Sequence, residues 1–118
     1  MDANNLTWHV VRNPIWQPPT DVYETEDVVV VRVEVAGMRE EDFSVTLEGR
    51  ALVIRGLRND ILERRAYHQM EIRFGEFTLE IELPGAVLVD QIAADYQDGF
   101  LRVVLPKVRL RNIKFEER

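Results

Sequence analysis

The chain has 118 residues, of which 46% are hydrophobic and 31% are charged, with a formal net charge of −6 and no cysteine. This length and composition predict one globular domain rather than a disordered chain. The missing cysteine excludes a disulfide framework, a thiolate zinc site, an iron–sulfur cluster and a cysteine nucleophile. The acidic balance predicts no nucleic-acid partner, because neutralisation of phosphates supplies most of the affinity for nucleic acids.

The sequence also predicts no membrane partner. No apolar run approaches the roughly 18 residues that a bilayer-spanning helix needs. Residues 1–7 are polar and lack the basic and then apolar layout of a signal peptide. The expected location is therefore the cytoplasm.

Residues 1–17 form a short N-terminal arm, and Pro14, Pro18 and Pro19 prevent a continuous helix through it. Five large apolar side chains lie in this arm without helical or strand periodicity: Trp8, Val10, Val11, Ile15 and Trp16. Two tryptophans in so short a segment predict burial against another surface. That surface is either the parent domain or, alternatively, another subunit or a client protein.

From residue 21 onward the apolar residues recur with a period of two, which is typical of half-buried strands. One face of the first long strand is expected in the core and carries Val29, Val31, Val33 and Val35. A second alternating run begins at Phe43. Gly49-Arg50 then predicts a two-residue hairpin turn, with a return strand at residues 51–56.

Alternation resumes at residues 77–83 and again at residues 92–96. Asp98-Gly99 follows the second of these runs and is a strong hairpin signal, with the return strand beginning near Leu101. Seven or eight short strands separated by regularly spaced turns predict an all-β protein with an antiparallel β-sandwich.

Residues 57–73 are compatible with two structures. A helix would gather one stripe of side chains, namely Ile61, Leu62, Arg65, Ala66 and Met70. The alternative is a long loop with a short strand around residues 65–68. A loop of that length inside a compact domain usually has a function.

The chain contains no recognisable catalytic, metal-binding or cofactor-binding motif. His9 and His68 are the two histidines, and they lack the spacing of a zinc site. Ser44 is the single serine and lies outside any Gly-x-Ser-x-Gly turn. No glycine-rich phosphate-binding loop is present. By elimination, the sequence predicts a binding protein rather than an enzyme, without catalytic residues, metal or cofactor.

Several segments, in order and over about residues 18–107, resemble the alpha-crystallin domain of small heat shock proteins of the bacterial and archaeal type. The matching segments are residues 19–26, 33–38, 41–43, 52–56 and 71–77, then Ala94-x-x-x-x-Gly99-x-Leu101 and Leu105-Pro106-Lys107. The resemblance implies an immunoglobulin-like β-sandwich. It divides the chain into an arm (1–17), an alpha-crystallin domain (18–107) and a C-terminal extension (108–118).

The resemblance implies an ATP-independent holdase chaperone, which binds partly unfolded client proteins and prevents their aggregation. Client contacts are then expected from the apolar arm residues. It also implies a homodimer, with further assembly into oligomers. In such dimers the long loop adds a short strand to the partner's sheet, here Arg65, Ala66, Tyr67 and His68. The alternative function is a co-chaperone-like β-sandwich module that acts as a monomer on a folded partner.

The family also carries a C-terminal Ile-x-Ile type motif that enters a groove on a neighbouring dimer. The nearest match here is Ile113-Lys114-Phe115, in a basic tail that follows an acidic body. Two strands would border the groove, one with Val45 and Leu47 and the other with Ile92 and Ala94. The basic charge predicts either a solvated terminus or a tail that docks on an acidic protein surface.

Overall fold

The period-two runs of the sequence fold as seven strands in two antiparallel sheets. The structure is a computed structural model that describes residues 16–109. The strands are β1 (Thr20–Glu24), β2 (Val28–Glu34), β3 (Phe43–Glu48), β4 (Ala51–Arg58), β5 (Gly75–Glu82), β6 (Ala93–Gln97) and β7 (Phe100–Pro106). One sheet has the order β1-β2-β7-β6 and the other the order β3-β4-β5. This architecture confirms the predicted antiparallel sandwich.

The core lies between the two sheets, where alternate side chains of each strand point inward. The inward valines of β2, Val29, Val31 and Val33, and Val35 just after the strand are at most 1% exposed, as the alternation predicted. They pack with inward residues of both sheets: Leu52, Ile54, Phe77, Leu79, Leu101, Val103 and Leu105. β-Branched side chains suit this pleated surface, which explains the excess of valine in the sequence.

The four-stranded sheet is wider than the sheet that covers it. Val22 of β1 lies directly opposite Val31 of β2 and therefore points to the same face of the sheet. Val31 is fully buried, whereas Val22 is 46% exposed. The inner face of β1 therefore extends beyond the three-stranded sheet.

Both predicted hairpin turns are present. Gly49 has a φ of 63°, and the turn that contains it joins Glu48 to Ala51 in a closed antiparallel pair. Asp98 and Gly99 have φ values of 53° and 83°, so both central residues of the second turn are left-handed. This is the type I′ geometry, whose twist matches that of the flanking strands.

The structure corrects some predicted boundaries. β4 continues to Arg58, because its pairing with β5 extends to Gly75. β6 begins at Ala93, so Ile92 lies just before the strand, at the end of a short 3₁₀ turn (Val89–Gln91). Another short 3₁₀ turn, Glu40–Asp42, lies just before β3.

The helical alternative for residues 57–73 is wrong. Residues 59–74 form neither helix nor strand. Ile61 and Leu62 of the expected stripe are 73% and 99% exposed, so the stripe has no surface of this chain to pack against. Short helices depend on such packing for their stability. Within residues 16–109, no helix has the length and apolar character that crossing a membrane requires.

A substitution at Gly56 can test the packing of β4 against β5. Gly56 lies opposite Phe77, and a Cβ atom at Gly56 would lie 2.3 Å from Cζ of the Phe77 ring. We expect Gly56→Ala to lower the free energy of unfolding by about 1–3 kcal/mol, because the Phe77 ring must move within the core. Chemical denaturation measures the change. Gly85→Ala is the matched control, since nothing lies within 4 Å of its added Cβ. Equal stability of the two variants would contradict the close approach.

Candidate interaction surfaces

An apolar groove lies between the outer strands β3 and β6, which are the edges of the two sheets on one side of the sandwich. Val45 and Ala94, two of the four residues expected to border a groove, lie together here. Both line a cavity of about 210 Å³, whose full lining is Glu40, Phe43, Val45, Ala94, Asp95, Tyr96 and Leu101. Two carboxylates, those of Glu40 and Asp95, lie among these mostly apolar residues. The cavity therefore combines an apolar floor with negative charge.

A second cavity of about 440 Å³ lies beyond Leu47. Its lining is Leu47, Gly49, Arg50, Leu83, Gly85, Ala86, Val87 and Val89. Val45 and Leu47 thus line different cavities, and residues two apart in a strand are roughly 7 Å apart. Alternate side chains of an extended segment have the same spacing. Ile92 is half-buried against the core and lines neither of these two cavities.

Tyr96 connects the groove to the segment that follows β2. Its hydroxyl donates a hydrogen bond to the carbonyl oxygen of Val35 at 2.7 Å and accepts one from the backbone N–H of Met38 at 3.3 Å. Its ring centroid lies 5.1 Å from that of Phe43. Sequence reasoning did not include Tyr96 in the groove, although its alternation with Ala94 carried that signal.

The β6–β7 hairpin supports the same end of the sandwich. The carbonyl oxygen of Gly99 accepts a hydrogen bond from the backbone N–H of Val35 at 2.8 Å. Leu101 is 3% exposed and lines the smaller groove cavity. The residues predicted for the hairpin, Asp98, Gly99 and Leu101, therefore occupy the turn and the first inward position after it.

Trp16, the last apolar residue of the predicted arm, packs on its own domain and is 7% exposed. Its ring meets the Phe77 ring edge-on, with centroids 5.4 Å apart, and its backbone forms an isolated parallel bridge to Phe77. The Trp16 Nε1–H donates a hydrogen bond to the carbonyl oxygen of Gly75 at 3.2 Å. The other predicted client-binding residues, Trp8, Val10, Val11 and Ile15, lie outside the described residues.

Arg58, at the end of β4, contacts three separate segments. Its guanidinium carbon lies 4.4 Å from the centroid of the Trp16 ring and 5.3 Å from that of Phe74. Its Nε–H donates to the carbonyl oxygen of Arg73 at 2.9 Å, and its Nη1 donates to that of Ala36 at 3.3 Å. Burial lowers the pKa of the Arg58 guanidinium from its ordinary value, and the group stays charged at neutral pH. No sequence signal marked Arg58.

The loop of residues 59–74 exposes large apolar side chains in the single chain. The exposed fractions are 73% for Ile61, 99% for Leu62, 51% for Tyr67, 69% for Met70, 66% for Ile72 and 37% for Phe74. Arg65 pairs with Asp60 and with Glu63 of the same loop, and its guanidinium lies 5.1 Å from the centroid of the Tyr67 ring. Ala66 and His68 are exposed. The four residues predicted for the exchanged strand form no strand within their own chain.

The start of the basic tail is held by the acidic turn between β1 and β2. The Lys107 ammonium pairs with Glu24 and donates to the carbonyl oxygen of Thr25 at 2.8 Å. Arg109 pairs with Glu26 at 3.0 Å and with Asp27 at 2.8 Å. The predicted anchors Ile113 and Phe115 lie outside the described residues. Within residues 16–109, neither this turn nor another group of His, Asp and Glu side chains is placed to hold a metal ion.

Comparison with known proteins assigns the chain to one family. The model of the Hsp20/alpha crystallin family matches residues 21–117. Heat shock protein 16 of Schizosaccharomyces pombe is 35% identical over 104 residues, which cover 82% of this chain and 71% of that protein. Small heat shock protein C2 of Rickettsia felis is 30% identical over 92 residues, which cover 76% of this chain and 60% of that protein. The chain belongs to the Hsp20/alpha crystallin family.

Solved structures of the family agree with the fold described above. Heat shock protein 16.0 from S. pombe superposes with a TM-score of 0.73 at 32% identity, covering 87% of this chain and 97% of that chain. The hspA protein of Xanthomonas axonopodis gives 0.73 at 27% identity, covering 80% and 96%. These likenesses confirm the expected immunoglobulin-like sandwich of an alpha-crystallin domain. The family consists of small heat shock chaperones, which are generally non-enzymatic.

The chain is shorter than some of the curated relatives that it matches. It spans about three fifths of the length of the two Rickettsia felis proteins, C2 and C4. The family model itself matches residues 21–117, which include nearly the whole sandwich. The activity and the partners of this protein are therefore matters for proposal.

Removal of the Tyr96 hydroxyl tests whether its two hydrogen bonds stabilise the fold beside the groove. We expect Tyr96→Phe to lower the free energy of unfolding by about 1–2 kcal/mol, because the partly buried Val35 carbonyl and Met38 amide lose their partner. Thermal and chemical denaturation measure this change. Tyr67→Phe is the control, since Tyr67 is 51% exposed. A Tyr96→Phe variant as stable as Tyr67→Phe would show that these two hydrogen bonds contribute nothing.

Proposed function

We propose that this protein is an ATP-independent holdase chaperone, which binds partly unfolded proteins and prevents their aggregation. Family membership implies the chaperone role. The finer proposal is carried by the apolar surface that one folded chain leaves open in the loop 59–74 and in the groove between β3 and β6. Unfolding proteins expose apolar side chains, and burial of each one contributes about 1.5–3 kcal/mol. Such capture needs no nucleotide.

The assembly unit that we propose is a homodimer in which the loop of each protomer adds residues 65–68 to the partner's sheet. The receiving strand is β1, which is an edge of the four-stranded sheet. Its inner face is open at Val22, and an edge strand presents backbone groups ready for pairing. The exposed side chains of the loop also require a cover. Both features favour the dimer over a co-chaperone-like monomeric module.

The proposed client contacts are the arm residues Trp8, Val10, Val11 and Ile15. Trp16 is assigned a different role, because its ring is buried against Phe77 and beneath Arg58. Its contacts favour an anchor that holds the end of the arm on the domain. The client-binding part of the arm is therefore proposed to end before Trp16.

The C-terminal extension is proposed to link dimers. Ile113 and Phe115 of one dimer would occupy the two cavities along β3 of a neighbouring dimer. The spacing of Val45 and Leu47 supports this, and the carboxylates of Glu40 and Asp95 suit a basic tail. A single contact with two anchors is weak against the entropy of association, so many such contacts must act together.

The holdase proposal predicts protection without nucleotide. At a several-fold molar excess, the protein is expected to suppress light scattering from a heat-denaturing client in buffer that contains no ATP. A variant that lacks residues 1–15 but keeps Trp16 is expected to protect less. Its unfolding transition is measured in parallel, so that a loss of protection is separated from a loss of fold. Undiminished client aggregation in the presence of the full chain would refute the holdase activity.

The tail proposal predicts a change in assembly size. We expect Ile113→Ala combined with Phe115→Ala to reduce oligomers of the full chain to dimers while the domain remains folded. Size-exclusion chromatography with light scattering gives the mass. Glu116→Ala combined with Glu117→Ala is the matched control in the same tail and should leave the mass unchanged. A monomeric full chain would rule out the dimer, and an anchor variant with undiminished mass would rule out the tail contact.

A further inference from the structure

We propose that Arg58 couples the N-terminal arm to the loop 59–74, so that seating of Trp16 on the domain and ordering of the base of the loop stabilise each other. Arg58 is thus a positioning residue. One guanidinium group lies against the ring of Trp16 on one side and bonds to the returning end of the loop on the other. The arm and the loop are far apart in sequence, and this side chain joins them.

The arm side of the junction is built around the indole of Trp16. The Arg58 guanidinium carbon lies 4.4 Å from the indole ring centroid, within the range of a cation–π contact. The edge of the ring meets Phe77, and its N–H bonds to the Gly75 carbonyl. Trp16 is 7% exposed and covers one side of the guanidinium, and Arg58 as a whole is half-buried. Departure of Trp16 would uncover Arg58 and weaken its remaining contacts by solvation.

The loop side of the junction consists of three consecutive residues, Arg73, Phe74 and Gly75. The Arg58 Nε–H and Nη2–H both donate to the Arg73 carbonyl oxygen, and the Phe74 ring centroid lies 5.3 Å from the guanidinium carbon. Gly75 has a φ of 103°, a conformation that favours glycine, and its carbonyl oxygen receives the Trp16 N–H. The point at which the loop re-enters β5 is therefore held by Arg58 and Trp16 together.

The chain also contains an arginine–aromatic contact without this coupling. The Arg32 guanidinium carbon lies 5.7 Å from the Tyr23 ring centroid, and Arg32 pairs with Asp21 at 2.5 Å. All three residues belong to the single hairpin of β1 and β2. Arg32 makes the same type of arginine–aromatic contact as Arg58, but it does not connect two separate segments of the chain. Arg32 therefore supplies a matched control.

Coupling of this kind is reciprocal. If a seated Trp16 favours an ordered loop base by some factor, an ordered loop base favours a seated Trp16 by the same factor. On the proposed function, the loop carries the exchanged strand of the dimer and the arm carries client contacts. A client that draws the arm away would then loosen the dimer. This consequence rests on the proposed function, whereas the coupling itself concerns one folded chain.

Hydrogen exchange measured by mass spectrometry on the full chain tests the coupling. We expect Trp16→Leu to accelerate amide exchange in residues 70–76 by roughly two- to fivefold, the size of one cation–π contact. Arg58→Lys should have a similar effect, because an ammonium cannot reproduce the two-sided contact of the guanidinium. Arg32→Lys should leave this peptide unchanged. Unchanged exchange in residues 70–76 of Trp16→Leu, with its fold intact, overturns the proposal.

Three further variants separate the coupling from local damage. If Trp16 and Arg58 act as one unit, the double variant should exchange no faster than the faster single variant, whereas multiplied effects would contradict the proposal. Phe74→Leu supplies the reciprocal test, since it should accelerate tryptic cleavage after Arg12 in the arm.

Trp16→Phe keeps a ring beside the guanidinium without the indole N–H. Its rate of hydrogen exchange in residues 70–76 should fall between those of wild type and Trp16→Leu. If hydrogen exchange in Trp16→Phe were no closer to the wild-type rate than exchange in Trp16→Leu, the aromatic ring would have no part in the coupling.

A separate measurement isolates the role in the dimer. Subunit exchange between labelled and unlabelled protein should be faster in Trp16→Leu than in wild type or Arg32→Lys. If hydrogen exchange in residues 70–76 becomes faster while subunit exchange is unchanged, the coupling is supported, and the loop is shown not to form the dimer contact. Unchanged hydrogen exchange overturns the coupling whatever the mass of the assembly.

Discussion

The unequal width of the two sheets is the constraint on which the rest of this structure depends. Three strands cannot cover the inner faces of four, so the sandwich buries Val31 completely but leaves Val22, its neighbour across the hairpin, 46% exposed. An edge strand with an uncovered apolar face can pair with a further strand, because its backbone groups are unpaired. The chain carries a suitable segment in its loop, yet within one protomer that loop pairs with nothing. The fold of one chain is therefore incomplete on this side.

On the opposite side of the sandwich, the edge strands are covered in a different way. There the edges β3 and β6 face each other across a groove, and half-buried side chains such as Val45 and Tyr96 partly fill it. Near β5, the other edge of the three-stranded sheet, Trp16 forms one bridge to Phe77 and fills the adjacent space with its ring. Of the four edge strands, β3 and β6 border the groove and β5 is next to the Trp16 ring, whereas β1 has no such cover within the described chain.

The sequence predicted the strands because alternation depends on neighbouring residues, and Val29, Val31 and Val33 of β2 show this plainly. The groove residues were expected only from the family resemblance, and of these Val45 and Ala94 line one cavity. The sequence did not predict Arg58 or the hydrogen bonds of Tyr96, because those contacts join residues that are 15 to 61 positions apart. It also left residues 57–73 undecided between helix and loop. Apolar spacing alone does not tell whether a stripe has a surface to cover, and here the fold supplies none.

The exposed loop has a consequence for any chaperone role. In the proposed dimer, apolar surface that a partner protomer covers, or that a tail covers in the groove, would not be open to a client at the same time. The proposed assembly and the proposed client capture would therefore compete for the same area, linked by mass action. Weak, numerous contacts would let this competition respond to the amount of unfolded protein, whereas one strong contact would fix the assembly in a closed form. Under the proposed coupling, the junction at Arg58 would set how readily the closed form opens.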